Sequence, residues 1–184
     1  MVDTDEYTTS AILEYMIKNS DDFLEKAKKS IEEFNVFCEG VHLVDKVKAD
    51  HIGYKCSSKE DFEYIRNFFE FDGKFVYQSI ISNRRIAIIG LHNGVETVAG
   101  MLMYLELSDQ KPDGSQVDGI DHLEIVPVDI SYEELILLVK SKGYIVKEAV
   151  RPHHTTYDIV LPSGFIVRLS SEILVDKIKR SEMV

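Results

Sequence analysis

The signature Ile120-Asp121-His122-Leu123-Glu124-Ile125 recurs upstream as Ala49-Asp50-His51-Ile52-Gly53-Tyr54, and this repeat sets the expected architecture. Each copy reads as a short strand in which apolar and polar residues alternate behind an Asp-His pair. Successive side chains of a strand point to opposite faces. His51 and Gly53 therefore share one face and Ile52 and Tyr54 the other, while His122 and Glu124 point away from Leu123 and Ile125. One face packs on a core and the opposite face carries imidazole and carboxylate. Two such strands in one chain indicate a duplicated unit.

The segments behind the two strands repeat as well. Ser58-Lys59-Glu60-Asp61 and Ser131-Tyr132-Glu133-Glu134 both resemble helix-capping boxes, the second in the standard Ser-x-x-Glu form. Amphipathic helices are predicted after these caps, carried by Phe62, Ile65, Phe68 and Phe69 in one copy. Leu135, Ile136, Leu138 and Val139 carry the other. The first should stop before Asp72-Gly73 and the second at Lys142-Gly143, where glycine supplies a left-handed turn. Three further strands are expected in each half, so the unit is β-α-β-β-β, twice.

In the first unit, residues 74–82 and 85–91 alternate as strands, with a turn at Ser82-Asn83. Asn93-Gly94 is the strongest hairpin signal, since a type I′ turn needs positive φ at both central residues. The last strand places Leu102, Tyr104 and Glu106 on one face and Met103, Leu105 and Leu107 on the other. Glutamate is depleted in strands, which singles out Glu106. Residues 109–119 form a Pro-, Gly-, Ser- and Asp-rich connector. The second unit is expected to place strands near 144–150, 155–161 and 164–170, with a Pro162-Ser163-Gly164 turn. Ser171 is the expected cap of a closing helix that ends in Lys177, Lys179 and Arg180.

Ahead of the repeat, residues 8–18 suggest a short helix. Asn19 or Ser20 can cap a second one, built on Phe23, Leu24, Ala27, Ile31 and Phe34 and ended by Gly40. The expected fold is α+β. An N-terminal helical segment (1–48) precedes a domain (49–184) of two βαβββ modules, 49–109 and 120–170, in one curved mixed sheet around a cleft. A closing helix (171–182) completes the chain.

The composition suits this reading. A chain of 184 residues, 45% of them apolar, can bury a sizeable core. No apolar run approaches the roughly 18 residues of a membrane span. The acidic N-terminus lacks the basic and then apolar pattern of a secretory signal. Two cysteines, Cys38 and Cys56, without a CxxC motif predict a reducing, cytoplasmic setting. A net charge of −11 argues against nucleic acid and anionic membrane as partners. A small-molecule ligand is the expected partner, and the chain is expected to be a monomer or homodimer.

If the two modules pair through their first strands, His51, His122 and Glu124 face one concavity, with Glu106 brought in from the last strand of module one. Two imidazoles and a carboxylate with open positions suit Fe(II), Mn(II), Ni(II) or Zn(II). The second carboxylate is either an extra ligand or a general base. Asp50 and Asp121, each preceding its histidine, are expected to point to the other face as hydrogen-bond acceptors. Cys56 is read as a packed residue, His92 as exposed beside the Asn-Gly turn, and Arg84-Arg85 as a solvated hairpin end. His153-His154 lies at a strand edge, where neighbouring side chains diverge.

The doubled pattern, with a histidine opening each unit and Glu106 closing the first, resembles the vicinal oxygen chelate superfamily of glyoxalase I, extradiol dioxygenases and bleomycin-resistance proteins. More narrowly, Asp50-His51-Ile-Gly-Tyr-Lys-Cys56, Gly119-Ile-Asp-His122-Leu-Glu-Ile-Val126 and the Ser170–Glu182 tail resemble the YecM-like family. The resemblance implies metal ligands at His51, Glu106 and His122. A fourth ligand position falls on Arg168, which cannot coordinate, because a guanidinium has no lone pair to offer. Arg168 is then a partner for Glu124 or a holder of an anionic substrate. The implied activity is a divalent-metal-dependent isomerase, lyase or dioxygenase acting on a small oxygen-rich anion, with Glu124 moving a proton. The alternative is a metal-free binding module on the same fold.

Overall fold

The computed structural model describes residue 17 and residues 19–72, 74–150 and 155–182. The expected 8–18 helix and His153-His154 lie outside the described residues, apart from Ile17, which is buried in the core. In chain order the elements are α1 (Ser20–Val41), β1 (Val47–Lys55), α2 (Lys59–Asp72), β2 (Lys74–Ile81), β3 (Arg84–Thr97) and β4 (Gly100–Ser108). The second half supplies β5 (Gly119–Pro127), α3 (Tyr132–Ser141), β6 (Lys147–Val150), β7 (Thr155–Val160), β8 (Ile166–Leu169) and α4 (Leu174–Glu182).

All eight strands form one open mixed sheet in the order β2-β3-β4-β1-β5-β8-β7-β6. Each module runs its last strand parallel to its first, β4 on β1 and β8 on β5, as the connecting helix requires. The two first strands meet antiparallel at the centre, with Ile52 opposite Leu123. The fold is the α+β pairing of two βαβββ units expected from the repeat.

The main core lies on one face of the sheet. Ile52, Tyr54, Leu105, Leu107, Leu123, Ile125, Val167 and Leu169 are packed there under α1, α2 and α3. α1 contributes Phe23, Ala27, Ile31, Phe34, Cys38 and Val41 at helical spacing, and the Phe23 and Phe69 rings meet edge-on at 5.3 Å. On the opposite face a smaller cluster joins Ile86 and Ile88 of β3 to Val175 and Ile178 of α4.

Several local expectations are corrected. Of the two candidate caps, Asn19 and Ser20, Asn19 starts α1, and the helix runs through Gly40 and ends at His42 (φ 62°), since buried Val41 and Leu43 pin the chain on either side of the turn. Leu43 N–H closes that turn on the Cys38 carbonyl. Asn93-Gly94 makes no hairpin. Only Gly94 is left-handed (φ 63°), within a bulge between Gly90 and Val95 of one continuous strand, where an added Cβ would meet Met103 Sδ at 2.6 Å. The type I′ demand falls on Ser82-Asn83, both at positive φ. Across from the bulge the alternation of β4 breaks, so Leu102 is buried and Met103 is exposed.

Arg85 is not a solvated hairpin end. It bonds Asp109, pairs with Glu63 and lies 4.4 Å over the Phe62 ring, tying β3 to α2. α4 begins at Leu174, three residues beyond the expected cap Ser171. No helix among the described residues is long and apolar enough to cross a membrane. Cys38 and Cys56 are both free and buried, and burial pushes the Cys38 thiol up to about 12.

One buried amide ties the connector after β4 to the ends of β1 and β4. Gln116 Nε2 donates to the carbonyls of Cys56 (2.8 Å), Ser108 (3.2 Å) and Asp109 (2.8 Å), closing the ends of β1 and β4. Nothing in the connector's turn-rich composition pointed to it. Gln116→Ala removes this donor from the Cys56 and Asp109 carbonyls, while the Ser108 carbonyl keeps the Cys56 N–H at 2.9 Å, and should destabilise the fold by about 1–3 kcal/mol in urea unfolding. A surface connector would give no measurable change.

Candidate metal centre

The central pairing places the polar residues. His51 stands opposite Glu124 and His122 opposite Gly53, while Glu106 lies beside Gly53 on β4 and Arg168 beside Glu124 on β8. All of these share the face opposite the main core. His51 and His122 are buried, 1% and 3% exposed, and their ring centroids are 5.5 Å apart at 87°. His51 Nε2 lies 3.7 Å from Glu106 Oε2 and 4.0 Å from Glu124 Oε2, and His122 Nε2 lies 4.0 Å from Glu106 Oε1. The three residues His51, Glu106 and His122 thus each present an atom within 4.8 Å of the others.

Asp50 and Asp121 do not point away as expected. The β1–β5 register shifts between Ala49 and His51, and again between Gly53 and Tyr54. Each shift leaves one aspartate, Asp50 or Asp121, as the unpaired residue of a bulge. The bulges turn the carboxylates onto the neighbouring rings: Asp50 Oδ2 is 3.1 Å from His51 Nδ1, and Asp121 Oδ2 is 3.0 Å from His122 Nδ1. A carboxylate on Nδ1 holds a proton there, so Nε2 is the nitrogen that offers a lone pair whenever the ring is neutral. Both Nε2 atoms are buried and lack any hydrogen-bond partner among the described residues. Orphaned buried polar atoms are uncommon and costly, and these two face the same carboxylate. The donor set fits a borderline divalent ion, whose nitrogen and oxygen ligands sit at about 2.0–2.2 Å.

The two histidines differ in charge. Burial disfavours the imidazolium of His51, but Glu124, the Asp50 hydrogen bond and Glu106 outweigh it and raise its pKa to about 9. For His122, burial and the Arg168 guanidinium prevail over Asp121 and Glu106, so its pKa is lowered and the ring is neutral. Asp121, although buried, is held well below the ordinary carboxylate range by His122 and Lys55, with which it pairs.

Arg168 does not pair with Glu124. Asp158 grips it with two bonds, Nε to Oδ1 at 2.8 Å and Nη2 to Oδ2 at 3.1 Å. Asp158 directly faces Arg168 across the β7–β8 hairpin, a signal present in the sequence and missed.

Gly53 was also missed. A Cβ there would lie 2.3 Å from His122 Cε1 and 2.4 Å from Nδ1. Gly53 takes the place in its strand that Glu124 takes in the other, and the absent side chain makes room for the His122 ring.

Two βαβββ units sharing one sheet through their first strands define a glyoxalase-like α+β fold. Within that class, the chain belongs to the YecM family, whose model, described as YecM protein, matches residues 13–160. No curated protein matches the chain. A solved structure titled protein EC4020, from structural genomics, is 20% identical and covers 86% of this chain and 92% of its own, with a TM-score of 0.64; it shares the fold. Methylmalonyl-CoA epimerase from Mycobacterium tuberculosis is 16% identical over 75% of this chain and 93% of its own, with a TM-score of 0.47. The halotolerant catechol dioxygenase BphC is 14% identical over 67% of this chain and 40% of its own, with a TM-score of 0.45.

Gly53→Ala should displace the His122 ring and cost about 1–3 kcal/mol of stability. The ring resonances of His122 in the metal-free protein should move further than those of His42. Unchanged His122 resonances would mean that the ring has another place to lie.

Proposed function

We propose that the protein is a divalent-metal-dependent enzyme of the isomerase, lyase or dioxygenase type, acting on a small, oxygen-rich, anionic substrate. The observation that carries this reading is the pair of buried, unpartnered Nε2 atoms of His51 and His122 facing Glu106. In a metal-free binding module each would cost about 1–3 kcal/mol of unmet hydrogen bonding, so that alternative is the weaker one.

His51, His122 and Glu106 would hold the ion. Glu106 is favoured over Glu124 as third ligand because its two oxygens approach both imidazoles, whereas Glu124 approaches His51 alone. When bound, such an ion supplies Lewis-acid polarisation of a substrate oxygen. Glu124, only 5% exposed and 4.0 Å from His51 Nε2, would take or return a substrate proton. Arg168 would attract the negative end of the substrate. Its grip by Asp158 fixes the guanidinium in place and moderates its charge.

Elemental analysis of protein purified without chelator should find near-stoichiometric Zn, Ni, Mn or Fe. His51→Ala and His122→Ala should each weaken binding by about 100-fold or more, above the 10- to 100-fold typical of outer-shell changes. Glu106→Gln should lose the ion and Glu124→Gln should keep it. An absence of metal in all samples, with the fold intact, would overturn the reading.

The pH dependence comes from the histidines. His51, raised to about 9, is protonated near neutral pH, and an ion must displace that proton, whereas His122 is already neutral. Apparent affinity should therefore rise about tenfold per pH unit up to about 9 and then level off. Calorimetry in buffers of different ionisation enthalpy should count one proton released at pH 7, not two.

A further inference from the structure

α4 is the one helix on the site-bearing face of the sheet among the described residues. Val175 and Ile178 pack on Ile86 and Ile88, with Tyr77 and Tyr104 at the margin. Ile88 is the β3 residue directly beside Glu106, and Tyr104 the β4 residue directly beside His51. The helix therefore stands against the module-one side of the site. Further along, Lys177 Nζ donates to the hydroxyl of buried Ser170 at 2.8 Å.

The first N–H of α4 has an unusual acceptor. Ile173 is the N-cap, since its carbonyl receives the Lys177 N–H at 3.1 Å, which makes Leu174 the first helical residue. Leu174 N–H donates to Asp50 Oδ2 at 2.9 Å, across 124 positions of chain. That same oxygen lies 3.1 Å from His51 Nδ1, and the Asp50 side chain is 2% exposed. The equivalent aspartate of the other module, Asp121, binds His122 but is otherwise tied to a lysine. Of the two aspartates, Asp50 is the one joined to a separate helix.

We propose that Asp50 is a positioning residue that unites the His51 ring and the docking of α4 in one cooperative unit, so that α4 is a wall of the site. One buried carboxylate oxygen receives both donors. Moving the helix redirects the carboxylate, and redirecting the carboxylate turns the ring and its Nε2. By reciprocity, whatever fixes the ring also fixes the helix. The coupling itself is independent of the metal reading, and only the ion-binding arm of the test rests on it.

Leu174→Pro tests this, because proline is well accepted at the first helical position and removes the N–H together with the leucine side chain. Leu174→Ala is the control that loses the side chain and keeps the N–H. In metal-free protein the ring nitrogen resonances of His51 should shift in Leu174→Pro and stay near wild type in Leu174→Ala. Hydrogen exchange supplies a second reading: His51→Ala should speed exchange of the α4 amides several-fold, and His122→Ala should not. In the ion-binding arm, Co(II) titrated spectroscopically should bind about 3- to 10-fold more weakly to Leu174→Pro than to Leu174→Ala, the lower range of an outer-shell effect. Identical His51 resonances in the two Leu174 variants, or equal acceleration of α4 exchange in both histidine variants, would overturn the coupling. If Co(II) fails to bind wild-type protein, the metal reading falls, and the two metal-free measurements still decide the coupling.

Discussion

The antiparallel contact between β1 and β5 governs the molecule. It sets Ile52 against Leu123 on the core face, and this one pairing brings both histidines to the other face beside Glu124 and Gly53. Slippage by one residue would carry the imidazoles into the apolar core and Ile52 and Leu123 out of it. Burial of both aliphatic side chains to 0% exposure therefore also fixes the chemistry on the opposite face. The two bulges lie on either side of this contact, one at each Asp-His pair, so the device that orients one ring also orients the other.

Duplication explains the shape, and departure from it explains the charge. Equivalent positions hold His51 and His122, Asp50 and Asp121, but Gly53 faces His122 where Glu124 faces His51. Glu106 and Arg168 occupy corresponding outer strands with opposite charge. Carboxylates around His51 favour its doubly protonated form, while burial and the Arg168 guanidinium favour the neutral form of His122. A symmetric scaffold thus turns one ring with a raised pKa and one with a lowered pKa toward the same hollow.

Where local sequence signals and the structure part company, a long-range contact explains the difference. Gly40 can end a helix, yet α1 continues because Val41 and Leu43 are both needed in the core, and His42 takes the left-handed turn between them. Asn93-Gly94 can turn a hairpin, yet β3 runs on to Thr97. There Thr97 Oγ1 bonds the Gly100 carbonyl and Asn35 of α1 receives the Val98 N–H, holding the real turn in place. Arg85 carries the pattern of a solvated charge but finds Asp109, Glu63 and the Phe62 ring.

The amino-acid order alone determined the repeat, the β-α-β-β-β grammar, the helix starts at Asn19 or Ser20, Ser58 and Ser131, and the side of its own strand on which each of the four polar residues lies. Each of these comes from period, capping chemistry or duplication, which act over a few residues. The tertiary structure decided the rest: the bulges that swing Asp50 and Asp121 onto the rings, the Arg168–Asp158 grip, the space that Gly53 leaves, and α4 resting on Asp50. Those depend on which distant segments meet and in what register. The free energy of that choice is spread over the whole core, and no short motif contains it.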